Sequence, residues 1–372
     1  MLAVVSELKS IDPKIKVTYI AQSGDHATAE LIKKEKLEIA YIRSGKFRRF
    51  HGISFIRQLA DVKTVLKNIY DAINIPIGIY QSWRLIGKKT PDVVFIKGGY
   101  VGLPVGIAAH LRKTPIVTHD SDAVPGMTNR ILSKWSSKIA VTMPKQNYSN
   151  YYPEEKIIQT GLPVSKKFAQ QSKIPIGNIR KELNLPQNKS VILIAAGSLG
   201  ARNVNNAILA IAKQLLNSGV AIVHITGRAN FNSVNESYES IEYGSGSLIV
   251  RPFVDNLAEF SRAADLVVTR SGSMIIELAA QAKAVISVPN PLLTDGHQLK
   301  NAEIYQKEKA VVCIDENKLQ KDPKILLSVI VDLLQSSSKR KEIGKNLSKF
   351  YDPDSANKIA NILIESAKKR PG

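Results

Sequence analysis

Short, almost uninterrupted runs of aliphatic and β-branched residues recur along this chain and alternate with stretches of helical periodicity. Val191-Ile192-Leu193-Ile194-Ala195 and Leu266-Val267-Val268-Thr269 are the clearest examples. A strand that is apolar on every residue has no face for water, so it belongs in a parallel sheet covered on both sides by helices. The runs Lys16–Ile20, Asp92–Ile96, Pro115–His119, Ile139–Val141, Val191–Ala195, Val220–Ile225, Ser247–Val250, Leu266–Thr269, Ala284–Pro289 and Ala310–Cys313 are therefore read as strands. The expected class is α/β, with doubly wound parallel sheets.

At 372 residues the chain exceeds one ordinary domain and fits two. The polar stretch Thr160–Pro175, bracketed by Pro163 and Pro175, reads as the connection between halves. The only cysteine, Cys313, lies in the apolar run Ala310–Ile314, which suits a buried strand residue and leaves no intramolecular disulfide to form. No apolar run approaches the roughly 20 residues of a membrane-spanning helix, so contact with a membrane is expected at its surface. A net charge of +20 favours anionic partners. Both halves are basic and no recognised nucleic-acid motif occurs, so nucleic acid is not an expected partner. In Arg43–His51 aromatics interleave with cations, which suits an anionic membrane face.

Three strand–glycine–helix junctions carry the candidate chemistry, because open α/β sheets bind ligands beyond the carboxyl ends of their strands. The first, Asp92–Val101, has two adjacent glycines, Gly98 and Gly99. The second, Val191–Arg202, ends in Ala196-Gly197-Ser198-Leu199-Gly200 before a helix. A glycine turn, a hydroxyl and free helix N–H groups suit a diphosphate. The third, Leu266–Glu277, ends in Arg270-Ser271-Gly272-Ser273 and puts the Glu277 carboxylate in the first turns of a helix, within reach of ligand hydroxyls. Downstream, His297, Gln298 and Asn301 cluster at another helix start, where amide and imidazole groups suit a sugar.

Together and in this order, the motifs resemble the GT-B glycosyltransferases, and closely the MurG-type UDP-N-acetylglucosamine:undecaprenyl-pyrophosphoryl-N-acetylmuramoyl-pentapeptide transferases of family 28. Pro91-Asp92-Val93-Val94 with Gly98-Gly99-Tyr100-Val101 is similar to that family's Pro-Asp-x-Val…Gly-Gly-Tyr-Val. His119–Asn129 resembles its His-Glu-Gln-Asn-x-x-x-Gly-x-x-Asn, and Thr160–Val164 its Gly-Asn-Pro-Val-Arg. Ala196–Arg202 resembles Gly-Gly-Ser-Gln-Gly-Ala-Arg, while Arg270–Leu278 and Asp295–Ala302 complete the nucleotide-sugar half.

The resemblance implies two Rossmann-like domains facing a cleft: an acceptor and membrane-facing domain at 1–163, a UDP-GlcNAc-binding domain at 164–345, and terminal helices 346–372 returning to the first domain. It implies inverting transfer of N-acetylglucosamine to lipid I, giving lipid II in peptidoglycan synthesis at the cytoplasmic face of the membrane, without a cofactor or a protein-bound metal. Ser198 would bind the diphosphate, the Val254 backbone the uracil, and Glu277 the ribose. Ser273, Met274 and Ile275 would line the phosphate end. Gln298 and Asn301 would read the sugar.

The departures are specific. Asp122 replaces the asparagine that contacts the donor sugar, and Ser165 stands where the family has arginine, with Lys166 or Lys167 able to supply the charge though not the fork. Asp120-Ser121-Asp122 has the metal-binding pattern of a different glycosyltransferase fold and is not expected to hold metal here. The family's opening strand and Gly-Gly-x-Gly-Gly-His loop have no counterpart after Met1, so no catalytic residue is assigned and an upstream start is expected. The rival readings are another UDP-GlcNAc-using GT-B enzyme, such as a 2-epimerase, and a non-catalytic UDP-sugar-binding protein.

Overall fold

In a computed structural model the chain is described except at residues 26–29, 31, 46–61, 198–200, 245, 293–295 and 371–372. It divides into two compact units, with the break between Pro163 and Val164 and a return to the first unit at Asp354. The helix Ser337–Ser348, which spans the expected boundary at 345, stays with the second unit.

The first unit opens with helix α1 (Leu2–Ile11), then strands β1 (Thr18–Gln22) and β2 (Glu38–Ile42), which pair in parallel. The long helix α2 (Val62–Lys89) leads into β3 (Val94–Ile96), α3 (Gly102–Leu111), β4 (Ile116–Asp120), β5 (Lys138–Val141) and β6 (Ile157–Gln159). Strands β3 to β6 form a second parallel sheet in chain order. The β1–β2 pair joins no ladder of that sheet, although Ile20 of β1 and Ile42 of β2 share one apolar cluster with Val94 and Ile96 of β3. The last helix, Ser355–Ala367, lays Ile359, Ala360, Ile362 and Leu363 against Val4 and Leu8 of α1 and Val117 of β4.

β2 and β6 are strands that the sequence reading leaves out. β2 is short and opens on Glu38, with Glu38 and Tyr41 exposed and only Ile42 buried, and β6 has three residues, one of them the exposed Gln159.

The second unit holds a six-stranded, all-parallel sheet of β7 (Val191–Ala195), β8 (Ala221–Ile225), β9 (Ser247–Arg251), β10 (Leu266–Thr269), β11 (Val285–Ser287) and β12 (Val312–Cys313). Their spatial order is β12-β11-β10-β7-β8-β9. Counted within the unit this is the 3-2-1-4-5-6 order of doubly wound nucleotide-binding sheets, with its switch point between β7 and β10.

Helix α4 (Arg202–Asn217) follows β7. It buries Val204, Ala207, Ile208, Ile211, Ala212, Leu215 and Leu216, the three-and-four spacing of a helix covering a sheet. It ends where Gly219 takes φ 81° and its N–H reaches the Leu216 carbonyl. The expected connection Thr160–Pro175 is not all loop. It contains the helix Lys166–Gln171, capped by Ser165, whose hydroxyl accepts from the Lys167 N–H, and Phe168 is buried in the second unit. Local hydroxyl capping outweighs the polar composition here.

Candidate active site

The switch point selects the turns after β7 and β10. After β7 the chain passes through buried Ala196 to Gly197, whose φ of 109° puts backbone where a side chain would be strained. Ser198 lies outside the described residues. The chain re-enters at buried Ala201, and α4 starts at Arg202.

The turn after β10 is held by side chains at successive residues. Thr269 Oγ1 donates to the Ala195 carbonyl at the end of β7, at 2.7 Å. Arg270 Nη1 donates to the Val288 carbonyl at 3.0 Å, and its Nη2 to Glu316 Oε1 at 2.6 Å. The Ser271 hydroxyl meets that of Ser287 at 2.6 Å, and the Ser271 carbonyl accepts from Asn301 Nδ2 at 3.0 Å. The side chains of Thr269, Arg270 and Ser271 are therefore each tied to a neighbouring strand or helix, and Gly272 and Ser273 follow at the sheet's carboxyl edge.

Helix α5 (Met274–Ala279) follows directly. Ser273 is exposed, Met274 and Glu277 are half-buried, and Ile275 is wholly buried as part of the core. Glu277 stands in the helix's first turn, where a carboxylate is favoured by the helix dipole. Helix α6 (His297–Lys307) supplies Gln298 and Asn301. Gln298 Oε1 accepts from the Asn290 N–H at 2.9 Å, which fixes the amide, and its Nε2 lies 3.9 Å from where a Cβ on Gly272 would be. Asn301 is buried beneath the turn, with its amide on Ser271.

Val254 follows β9, half-buried. Beside it Phe253 is exposed, with the Arg228 guanidinium 5.1 Å from its ring centroid. The ends of β8 and β9 are joined by the Thr226 N–H on the Arg251 carbonyl at 3.0 Å. Sequence reading names neither Glu316 nor Arg228. Glu316 begins helix α7 (Glu316–Lys321), 46 residues from Arg270, with no local signal that it faces inward.

In the first unit, β4 ends in His119 and Asp120, both buried. His119 Nε2 lies 3.1 Å from the Gly161 carbonyl, and burial, with Lys97 nearby, pulls its pKa down to about 3. Burial raises the Asp120 carboxyl to about 6 against the donors Tyr152, at 2.7 Å, and Asn129, at 2.9 Å. The Asp122 carbonyl accepts from the Tyr148 hydroxyl at 2.8 Å, which pins the segment after β4. Gly98 and Gly99 have φ of 81° and 77°, and Thr128 Oγ1 donates to the Gly99 carbonyl at 2.9 Å.

Comparison with known proteins decides the family. The chain is 30% identical over 370 residues to the Bacillus cereus UDP-N-acetylglucosamine–N-acetylmuramyl-(pentapeptide) pyrophosphoryl-undecaprenol N-acetylglucosamine transferase 1, covering 99% of this chain and 95% of that protein. This chain belongs to that transferase family. The corresponding transferase of Halalkalibacterium halodurans is 29% identical over 371 residues, with coverage of 99% and 95%. Profiles of the glycosyltransferase family 28 N-terminal and C-terminal domains match residues 1–141 and 191–359.

Among solved structures, Acinetobacter baumannii MurG superposes with a TM-score of 0.70 at 22% identity, covering 98% of this chain and 94% of that one. The Neisseria meningitidis UDP-GlcNAc 2-epimerase, bound to UDP-GlcNAc, does so at 0.65 and 15%, covering 98% and 96%. Both likenesses show the fold. The transferase family is fixed by the sequence relatives, which run the length of the chain.

Proposed function

We propose that this chain transfers N-acetylglucosamine from UDP-N-acetylglucosamine to undecaprenyl-pyrophosphoryl-N-acetylmuramoyl-pentapeptide, giving lipid II. The observation that carries the reading is the match, along 99% of the chain, to transferases named for that donor and acceptor. The second unit's sheet supports it, because its switch point ends in two turns suited to a nucleoside diphosphate.

The donor binds at the carboxyl edge of β7 to β11. The glycine turn that includes Ser198, and the start of α4, take the diphosphate. Ser273 and Met274 line its far side. Ile275 contributes through the core beneath the α5 start, together with its backbone. Glu277 accepts from the ribose hydroxyls, and the Val254 backbone reads the uracil beside the Phe253 ring. Gln298 addresses the sugar, while Asn301 supports the same region by holding the Ser271 carbonyl. By sequence correspondence Asp122 is assigned to the donor sugar. As the acceptor hydroxyl attacks the anomeric carbon with inversion, negative charge grows on the departing UDP. N–H groups already aimed at the diphosphate stabilise that charge without reorganising.

The acceptor is a lipid, so the enzyme works at the cytoplasmic membrane surface as a peripheral protein. Among the described residues no helix is long and apolar enough to cross a membrane. The first unit instead exposes Ile73, Tyr80 and Trp83 on one face of α2, and Leu111 at the end of α3. The Arg112 guanidinium lies 3.5 Å from the Trp83 ring centroid, which joins a cation to that apolar face. The basic segment expected to meet the membrane adjoins it: the Arg43 N–H donates to Gln81 of α2 at 2.7 Å, and residues 46–51 lie outside the described residues.

The test is a transfer assay with UDP-GlcNAc and a short-chain lipid I analogue. Release of one UDP per N-acetylglucosamine gained by the acceptor is the expected result. Acceptor-independent conversion of UDP-GlcNAc to its 2-epimer would replace the reading with that of an epimerase. Binding of UDP-GlcNAc without turnover of any kind would leave a binding protein.

A further inference from the structure

The turn after β10 and the first turn of α4 come from different parts of the chain, yet one carboxylate oxygen joins them. Glu316 Oε1 accepts from Arg270 Nη2 at 2.6 Å and from Asn203 Nδ2 at 3.0 Å. Asn203 is the second residue of α4, and Arg270 opens the turn that presents Gly272 and Ser273. The Arg270 and Glu316 side chains are only 10% and 3% exposed. The second Arg270 bond, to the Val288 carbonyl, holds the guanidinium plane against the end of β11. Two strand ends, those of β10 and β11, and two helix starts, those of α4 and α7, therefore share a single buried anchor.

A buried ion pair is a poor way to gain stability, since an apolar pair of similar volume often holds a fold as well or better. What the pair supplies here is direction. The guanidinium fork and the planar carboxylate accept few relative orientations. Asn203, on the same oxygen, transfers that orientation to α4. The spacing between the two turns is thus set by side chains rather than left to the loops.

We propose that Glu316 is a positioning residue for donor binding. Through Arg270 and Asn203 it holds the start of α4 and the turn after β10 at the separation a diphosphate bridges. The inference rests on the donor site proposed above and adds to it a residue that touches no substrate. Because the anchor lies under the phosphate-facing turns, its loss falls on UDP and spares the nucleoside.

The test compares UDP and uridine affinities, by calorimetry or competition, together with the melting temperature. In the double variant Arg270→Met/Glu316→Met the buried charges are removed together, so the fold is expected to persist with a melting temperature within a few degrees of the parent. UDP binding is expected to weaken by about 10- to 100-fold, the scale on which loss of an outer-shell partner acts at metal sites, with uridine binding unchanged. Glu316→Gln keeps the shape and one acceptor, so it should show a smaller loss with the same UDP-selective pattern. Should the double variant fail to fold, Asn203→Ala cuts only the α4 arm and should still weaken UDP selectively.

A folded variant set with parental UDP affinity would overturn the proposal, as would equal losses of UDP and uridine. Glu277→Ala separates the two levels of the argument. If Glu277→Ala leaves UDP affinity unchanged, the donor site itself is misplaced. If it weakens UDP while the Glu316 and Asn203 variants do not, only the positioning role fails.

Discussion

The two units of this chain use the same materials differently. In the second, six parallel strands form one uninterrupted ladder, and the turns at its switch point are fastened by Thr269, Arg270, Ser271 and Asn301. In the first, the strands form a pair and a separate set of four. Among the described residues no strand pairs with the outer edge of β1 or of β3, and the parts cohere through side chains. Ile20, Ile42, Val94 and Ile96 share one cluster, and the terminal helix packs on α1. A backbone ladder resists local opening more than a side-chain cluster does. Local opening is therefore expected first in the first unit, and the turns at the second unit's switch point are expected to stay in place as it opens.

The largest expected effect breaks the first unit without touching the second. Ile359 of the terminal helix is fully buried against α1. Ile359→Ala should cost the first unit about 2–5 kcal/mol. Both tryptophans of the chain, Trp83 and Trp135, lie in that unit, so their fluorescence follows its unfolding alone. UDP binding should be unchanged at temperatures below the new transition. Parallel loss of UDP binding and fluorescence would show that the units do not behave separately.

The converse substitution, Glu277→Ala, should leave the first unit's unfolding and vesicle binding as they are. It should raise the KM for UDP-GlcNAc by roughly 10- to 150-fold, since hydrogen bonds to a charged group contribute about 1.5–3 kcal/mol. An unaltered donor KM in steady-state assays would remove Glu277 from the site.

Acid should separate the units more gently. In the second, burial holds His224 at about 3 against an unfolded value near 6.5. Over that range the unfolded chain binds more protons, so stability rises with pH and is lost on acidification, by up to about 1.4 kcal/mol per pH unit. His119 acts the same way in the first unit. There it is opposed by Asp120, whose folded value near 6 exceeds 3.8, so that its contribution falls as pH rises between those values. Urea midpoints between pH 4 and 5, below the range in which the Met1 amino group of the first unit titrates, should therefore slope more for the second unit, followed with a tryptophan placed at Phe231, than for the first. On the alkaline side, burial holds Lys283 near 7, so the second unit should gain stability as pH rises from 7 to about 9, above which the Cys313 thiol, pushed up to about 11 by burial, opposes the gain.

The smallest effect concerns surface. Trp83→Ala should weaken binding to vesicles containing anionic lipid, with UDP affinity unchanged, because interfacial binding scales with the apolar area buried. Equal vesicle binding in a sedimentation assay would move the membrane contact away from α2.

What the sequence shows and hides follows the same division. The strands of the second unit are legible because burial on both faces demands β-branched residues at every position. The donor motifs are legible because glycine, serine and a helix start have to be contiguous to make an anion site. The ion pair beneath them is not, since Arg270 and Glu316 meet only when β10 and α7 are already in place. Likewise the apolar face of α2 is spread over Ile73, Tyr80 and Trp83 and interrupted by Pro76 and Gly78, so the compact basic run at Arg43 draws attention first. Ile275 shows a further limit: its place in the motif suggests a ligand contact, whereas its side chain completes the core below the turn.

Hydrogen exchange with and without UDP-GlcNAc tests the central claim most directly. The account predicts that added donor slows exchange in 195–205, 269–277 and 297–301, the turns at the switch point and the start of α6. Slowing confined to the strand ends of the first unit, around 97–102 and 119–123, with no change in those three segments, would contradict it.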